Sequence, residues 1–100
     1  MLSINPENYK SENVLSEEEL IPILNYLRKQ GKKIGLCTGG YDLLHPGHIT
    51  HLESAKKKCD VLIVGVAVDK YSTNRNPETG RPVFSQFLRA FVISRLKCVD

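Results

Sequence analysis

Three histidines, His45, His48 and His51, recur at intervals of three in the middle of the chain, and a Gly-Gly pair precedes them. The full run is Thr38-Gly39-Gly40-Tyr41-Asp42-Leu43-Leu44-His45-Pro46-Gly47-His48. Two chemistries suit these residue types. Imidazoles beside a glycine-rich turn can donate hydrogen bonds to phosphate oxygens and stabilise charge that builds up during displacement at phosphorus. Histidines can also gather a metal ion. Steps of three on a helix rotate His51 well away from His45, which disfavours a shared three-histidine face. His51 then reads as a surface residue. Gly39 and Gly40 let backbone amides approach a ligand that a Cβ would obstruct, and Gly47 does the same one turn later. Pro46 suits the first position of a helix, and a helix N-terminus offers unpaired N–H groups and partial positive charge to an anion.

The flanking sequence supplies the elements that must position this run. Ser16 and Glu19 have capping-box spacing, and Leu20, Ile23, Leu24 and Leu27 recur at helical spacing up to Arg28, Lys29 and Gly31. Pro22 lies inside that stretch, so either the helix kinks there or its regular part begins there. Ile34 to Thr38 reads as a first strand. The helix opened by Pro46 carries the apolar stripe Ile49, Leu52 and Ala55 and closes on Lys56, Lys57 and Lys58, which suit the negative end of the helix dipole. Val61 to Val68 is a near-continuous apolar run, predicted as a strand buried on both faces of a parallel sheet. Asp69 to Gly80 is polar and turn-rich, a long surface loop. Ser85 can cap a third helix with Leu88, Phe91, Val92 and Leu96 on one side. Two strands joined by a helix form a right-handed βαβ unit, and ligands of such sheets bind beyond the carboxyl ends of the strands. The run from Thr38 to His48 lies at that end.

The chain has 100 residues, 41% of them hydrophobic and 25% charged. That composition fits an ordinary globular domain and excludes disordered, collagen-like and coiled-coil classes. No apolar run approaches the ~20 residues needed to span a bilayer. The polar start, Met1 to Lys10, lacks the apolar core of an export signal, so the reading is cytoplasmic. Cys37, Cys59 and Cys98 form no C-x-x-C pair and read as three reduced thiols. Charge is split along the chain. Residues 1–20 carry five acidic side chains and one lysine, whereas the remainder carries 13 Lys or Arg against six Asp or Glu. The body should therefore attract anions, and charge by itself does not choose between nucleic acid and nucleotide phosphate. No basic stretch interleaved with aromatic residues is present to stack bases, which argues against nucleic acid. Residues 1–15 read as a polar leader and residues 16–100 as one α/β domain.

The run Gly39-Gly40-Tyr41-Asp42-Leu43-Leu44-His45-Pro46-Gly47-His48 resembles the H-x-G-H nucleotidyltransferases, the cytidylyltransferase-like superfamily, with Tyr41 in place of the usual Phe. The resemblance continues through Asp60 to Val66, Asp69, Gly80-Arg81-Pro82-Val83, Arg89 and Val99-Asp100. Within the superfamily the pattern is most similar to the ADP-heptose synthase branch, followed by the glycerol-3-phosphate cytidylyltransferase branch. Phe87-Leu88 stands where relatives often carry an acidic residue. The family's second signature, an Arg-Thr-x-Gly-x-Ser-Thr-Thr-like segment, has no counterpart among these residues. The resemblance implies a Rossmann-like, parallel-sheet nucleotide-binding fold, of which the chain represents the first half. It implies transfer of a nucleoside monophosphate from ATP or CTP to a phosphorylated small-molecule acceptor, with Mg²⁺ accompanying the nucleotide and no covalent enzyme intermediate. By the same resemblance His45 and His48 are the catalytic pair. Thr38, Gly39, Gly40, Tyr41, Asp42 and Gly47 line the nucleotide site, Arg75 binds phosphate from the loop, and Arg89 points to the site from the third helix. No metal ligand is assigned to the protein. Half a sheet leaves an apolar edge, so a homodimer is expected, with neither nucleic acid nor membrane as partner. The alternative is a nucleotide- or phosphate-binding module without turnover.

Overall fold

The structure, a computed structural model, describes residues 8–69 and 84–100. Five elements follow one another: α1 (Glu17–Lys29), β1 (Ile34–Gly39), α2 (Pro46–Lys56), β2 (Val61–Val66) and α3 (Gln86–Ser94).

Helix α1 begins where its capping box forms. Glu19 N–H donates to Ser16 Oγ (3.2 Å), and Ser16 N–H donates to Glu19 Oε1 (3.0 Å). The Ser16 backbone N–H, and next the Ser16 side chain, hold the Glu19 carboxyl below its ordinary pKa. The helix runs continuously through Pro22 and ends in a Schellman motif. Gly31 N–H donates to Arg28 O (3.0 Å) and Lys32 N–H to Leu27 O (3.0 Å). Gly31 takes φ +75, a left-handed conformation open to glycine without a Cβ penalty.

Strands β1 and β2 pair in parallel, Ile34 opposite Val61 through Gly39 opposite Val66, with α2 as the crossover. One face of the sheet, bearing Cys37, Leu62, Val64 and Val66, packs on Leu52 of α2 and Ile93 of α3. Leu52 and Leu62 are fully buried. The other face is half-buried along β2 and exposed along β1, where Leu36, in the middle of the strand, is 69% exposed. This corrects the expectation of a β2 buried on both faces. Only Leu62 of that strand is fully buried, its neighbours are half-buried, and the strand stops at Val66 rather than Val68. An apolar run states what a strand is able to bury, while the layers packed on it decide what is buried.

Helix α3 is capped by Ser85, whose Oγ accepts from Leu88 N–H (3.4 Å). Its buried side is Leu88, Arg89 and Ile93. Val92, expected on that side, is exposed. The buried face is thus rotated toward a charged residue that pattern reading would have sent to solvent. Part of the polar leader lies against the end of α3. Tyr9 packs edge-on to Phe91 at 5.5 Å, Ser94 Oγ donates to Ser11 Oγ (2.6 Å), and Arg95 covers the Phe91 ring at 4.8 Å. Beyond α3 the chain returns to β2, where Asp100 N–H donates to Leu62 O (3.1 Å) and Leu62 N–H to Asp100 Oδ2 (2.8 Å). Among the described residues no helix is long and apolar enough to cross a membrane.

Candidate functional site

The turn from β1 to α2 is built from three constraints. Gly39 O accepts from Ala67 N–H (2.9 Å), which holds the end of β1 to the residue after β2. A Cβ on Gly39 would stand 3.0 Å from the Tyr41 ring, so that ring can lie across the strand end only over glycine. Tyr41 itself adopts φ +51, a left-handed conformation costing a non-glycine residue roughly 1–2 kcal/mol. Its ring packs on the core and meets His48 edge-on at 5.9 Å. Burial, and next the neighbouring Cys37, push the Tyr41 hydroxyl above its ordinary pKa, so it stays protonated.

The two histidines cap α2 reciprocally. His45 is the N-cap residue, with extended backbone, and its Nδ1 accepts from Gly47 N–H (3.0 Å). His45 N–H in turn donates to His48 Nδ1 (3.2 Å). The rings lie 3.9 Å apart, tilted by 36°. An imidazole that accepts at Nδ1 carries its proton on Nε2 when neutral. Both side chains therefore keep an Nε2–H donor outside the interlock. Burial, followed by the charges of His45 and His51, holds His48 below its ordinary pKa of 6.5, which favours this neutral form.

Gly47 has a different part from the one expected of it. Its N–H is not offered to an anion but donated to His45 Nδ1. A Cβ there would stand 2.7 Å from His45 Cε1, so the missing side chain is the seat of the His45 ring. His48 N–H is likewise engaged, by His45 O (3.0 Å). The histidine rings, rather than these amides, are the donors that the helix start presents.

Asp42 is 6% exposed, and its Oδ1 accepts from Phe84 N–H (3.1 Å). It ties the turn to the start of α3. Arg89, expected among the nucleotide ligands, is 1% exposed and lies behind the turn. It donates from Nη1 to Gly40 O (2.5 Å), from Nη2 to Asp69 Oδ1 (2.7 Å) and from Nε to Phe84 O (3.1 Å). The structure thus brings Thr38, Gly39, Gly40, Tyr41, Asp42, His45, Gly47 and His48 into one turn, with Arg89 as its inner support. His51 is exposed on α2. Arg75 and Gly80-Arg81-Pro82-Val83 lie outside the described residues.

A family model described as cytidylyltransferase-like matches residues 36–100. The chain belongs to the cytidylyltransferase-like family. Among solved structures it is similar to the lipopolysaccharide core biosynthesis protein from Thermoplasma volcanium, with TM-score 0.62 and 40% identity, covering 70% of this chain and 55% of that one. Among curated relatives it is similar to the bifunctional protein HldE of Paramagnetospirillum magneticum, 38% identical in an alignment 98 positions long that covers 92% of this chain and 20% of the relative. The bifunctional protein HldE of Pseudomonas aeruginosa is 38% identical over 98 residues, 98% of this chain and 20% of the relative. The chain spans about a fifth of the length of these curated relatives.

Sequence reasoning singled out His45 and His48, and the structure places both at the start of α2. It missed the Arg89–Gly40 link and the Asp42–Phe84 link. One signal was available: Arg89 stands between Leu88 and Ala90 in a helix whose other faces are largely apolar. A charge in that setting invites a search for buried partners.

Proposed function

We propose that the chain carries the nucleotide-binding half of a nucleotidyltransferase, which moves a nucleoside monophosphate from ATP or CTP to a phosphorylated sugar or alcohol and releases pyrophosphate. The observation that carries this reading is the His45–His48 interlock, in which each Nδ1 accepts a backbone N–H and each imidazole keeps an Nε2–H to donate. In the reaction an oxygen of the acceptor phosphate attacks the α-phosphorus of the nucleotide. A new P–O bond forms, the bond to the bridging oxygen of the β-phosphate breaks, and its electron pair leaves on pyrophosphate. Charge grows on oxygens around the α-phosphorus and on the leaving group. Preorganised N–H donors stabilise such charge without reorganising at the moment of reaction. No step requires a covalent bond to the protein.

Thr38, Gly39, Gly40 and Tyr41 form the floor for the nucleotide, at the carboxyl end of β1 where open α/β sheets bind ligands. When bound with the triphosphate, Mg²⁺ neutralises its oxygens. Among the described residues no group of three His, Cys, Asp or Glu side chains gathers to hold an ion. The description of the Thermoplasma volcanium relative as a lipopolysaccharide core biosynthesis protein favours a phosphosugar as acceptor. A homodimer is part of this reading, supported by the exposure of Leu36 in the middle of β1.

The test is pyrophosphate release from ATP or CTP in the presence of a sugar 1-phosphate. Release dependent on the acceptor supports a transferase. Nucleotide binding at the β1–α2 turn without release from any acceptor supports a binding module instead, and absence of both overturns the assignment.

A further inference from the structure

Arg89 is the largest fully buried side chain among the described residues. Burying a guanidinium costs far more than burying a leucine or methionine of similar length, unless its N–H groups and charge find partners. Here they find three, on three different segments: Phe84 O, Asp69 Oδ1 and Gly40 O. The contact with Gly40 O is the shortest of the three, and it acts on the peptide joining Gly40 to the strained residue Tyr41.

That peptide has two faces. In a trans peptide the C=O and the following N–H point in opposite directions. With Gly40 C=O drawn inward to the guanidinium, Tyr41 N–H is turned away from it. Flipping the peptide would bring Gly40 C=O out, turn Tyr41 N–H in, and carry Tyr41 φ out of the left-handed region that disfavours an L-residue. Left to itself, Tyr41 gains from the flip. The bond from Arg89 opposes it. A cation on the carbonyl oxygen also polarises the peptide and strengthens the N–H at its other end as a donor.

We propose that Arg89 is a positioning residue. It locks the Gly40–Tyr41 peptide with its carbonyl inward so that Tyr41 N–H is presented to a phosphate oxygen of the ligand, while Asp69 holds the guanidinium in place. The proposal rests on the reading of this turn as a nucleotide phosphate site. It replaces direct phosphate contact by Arg89 with action through the backbone.

The experiment uses the full chain, amide NMR and inorganic pyrophosphate and ATP as probes. The three-bond coupling between the Tyr41 amide and α protons reports φ without any ligand. In the wild type, Tyr41 is expected to show the coupling of a left-handed residue, and its amide is expected to shift on titration together with the His45 and His48 signals. Arg89→Lys keeps one charge but cannot make the three-way fork. In that variant the Tyr41 coupling is expected to change, its amide to stop responding, and Kd to rise about tenfold, the loss of roughly one charge-assisted hydrogen bond. A merely structural role would lower the melting temperature and leave the coupling of the folded protein unchanged. A folded Arg89→Lys that keeps both the coupling and the Tyr41 response overturns the proposal. Should that variant not fold, the wild type still decides: His45 and His48 responding without Tyr41 overturns the positioning role alone. No response at any of the three overturns the phosphate site and this proposal together.

Discussion

Gly47→Ala separates the stability of the turn from its chemistry. An alanine Cβ would stand 2.7 Å from His45 Cε1 and 3.0 Å from Nδ1, so the imidazole must swing off its seat. The obstructing atoms belong to the outer part of a side chain, and the backbone of Gly47 is helical, so relief by rotation costs little. The swing breaks the Gly47 N–H bond to His45 Nδ1, an N-cap interaction worth about 1 kcal/mol. Against this, alanine is favoured over glycine in a helix by up to about 1 kcal/mol. The two terms oppose each other, and net stability should move by less than about 1 kcal/mol, or roughly 4–8 °C at most in a domain of this size. Turnover should behave differently. One preorganised donor is displaced, a loss typically worth about 10²–10³ in rate. Because such a donor acts mainly on the transition state, nucleotide Kd should change much less. Thermal melts followed by circular dichroism, together with pyrophosphate release at saturating nucleotide, measure both quantities. A variant that retains full turnover would show that the seated His45 ring is not needed. A melting temperature depressed well beyond this range would show that Gly47 serves the fold first.

Three further outcomes are expected. His48→Ala should lower kcat by about 10²–10³ with a small change in nucleotide Kd, whereas His51→Ala should do little because its side chain is exposed elsewhere on α2; equal losses at the two positions would refute the assignment. The depressed pKa of His48 means that the unfolded chain binds the proton more tightly, so this part of the stability is present above 6.5 and is lost as pH falls toward the depressed folded value. Melts between about pH 8 and about pH 5.5 should show a decline that is smaller in His48→Asn, and identical slopes in both proteins would contradict it. Leu36→Lys places a charge on the exposed middle of β1 and should shift the light-scattering mass from dimer to monomer; a wild type that is monomeric at every concentration refutes the homodimer.

Much of the fold was legible because its causes are local. The Ser16–Glu19 box, the helix opened by Pro46 and the Ser85 cap each depend on residues within three or four positions. The pairing of His45 with His48 is of the same kind, since spacing along one helical turn dictates it. The parallel pair β1 and β2 followed from two apolar runs flanking a helix. Where sequence reading went astray, the deciding contacts were distant. How deeply each strand residue is buried depends on what packs against it, and Leu36 of β1 and Leu62 of β2 have similar chemistry but opposite exposure. The side of α3 that turns inward was set by Arg89, whose partners Gly40 and Asp69 lie 49 and 20 residues away in sequence. Gly47 looked like an amide donor because the sequence shows an absent side chain but not the imidazole that occupies its place. Spacing along the chain therefore specified which groups could do chemistry. Only the packed structure decided which donors face outward and which are spent holding the turn, because a hydrogen-bond donor serves the partner that three-dimensional proximity brings to it.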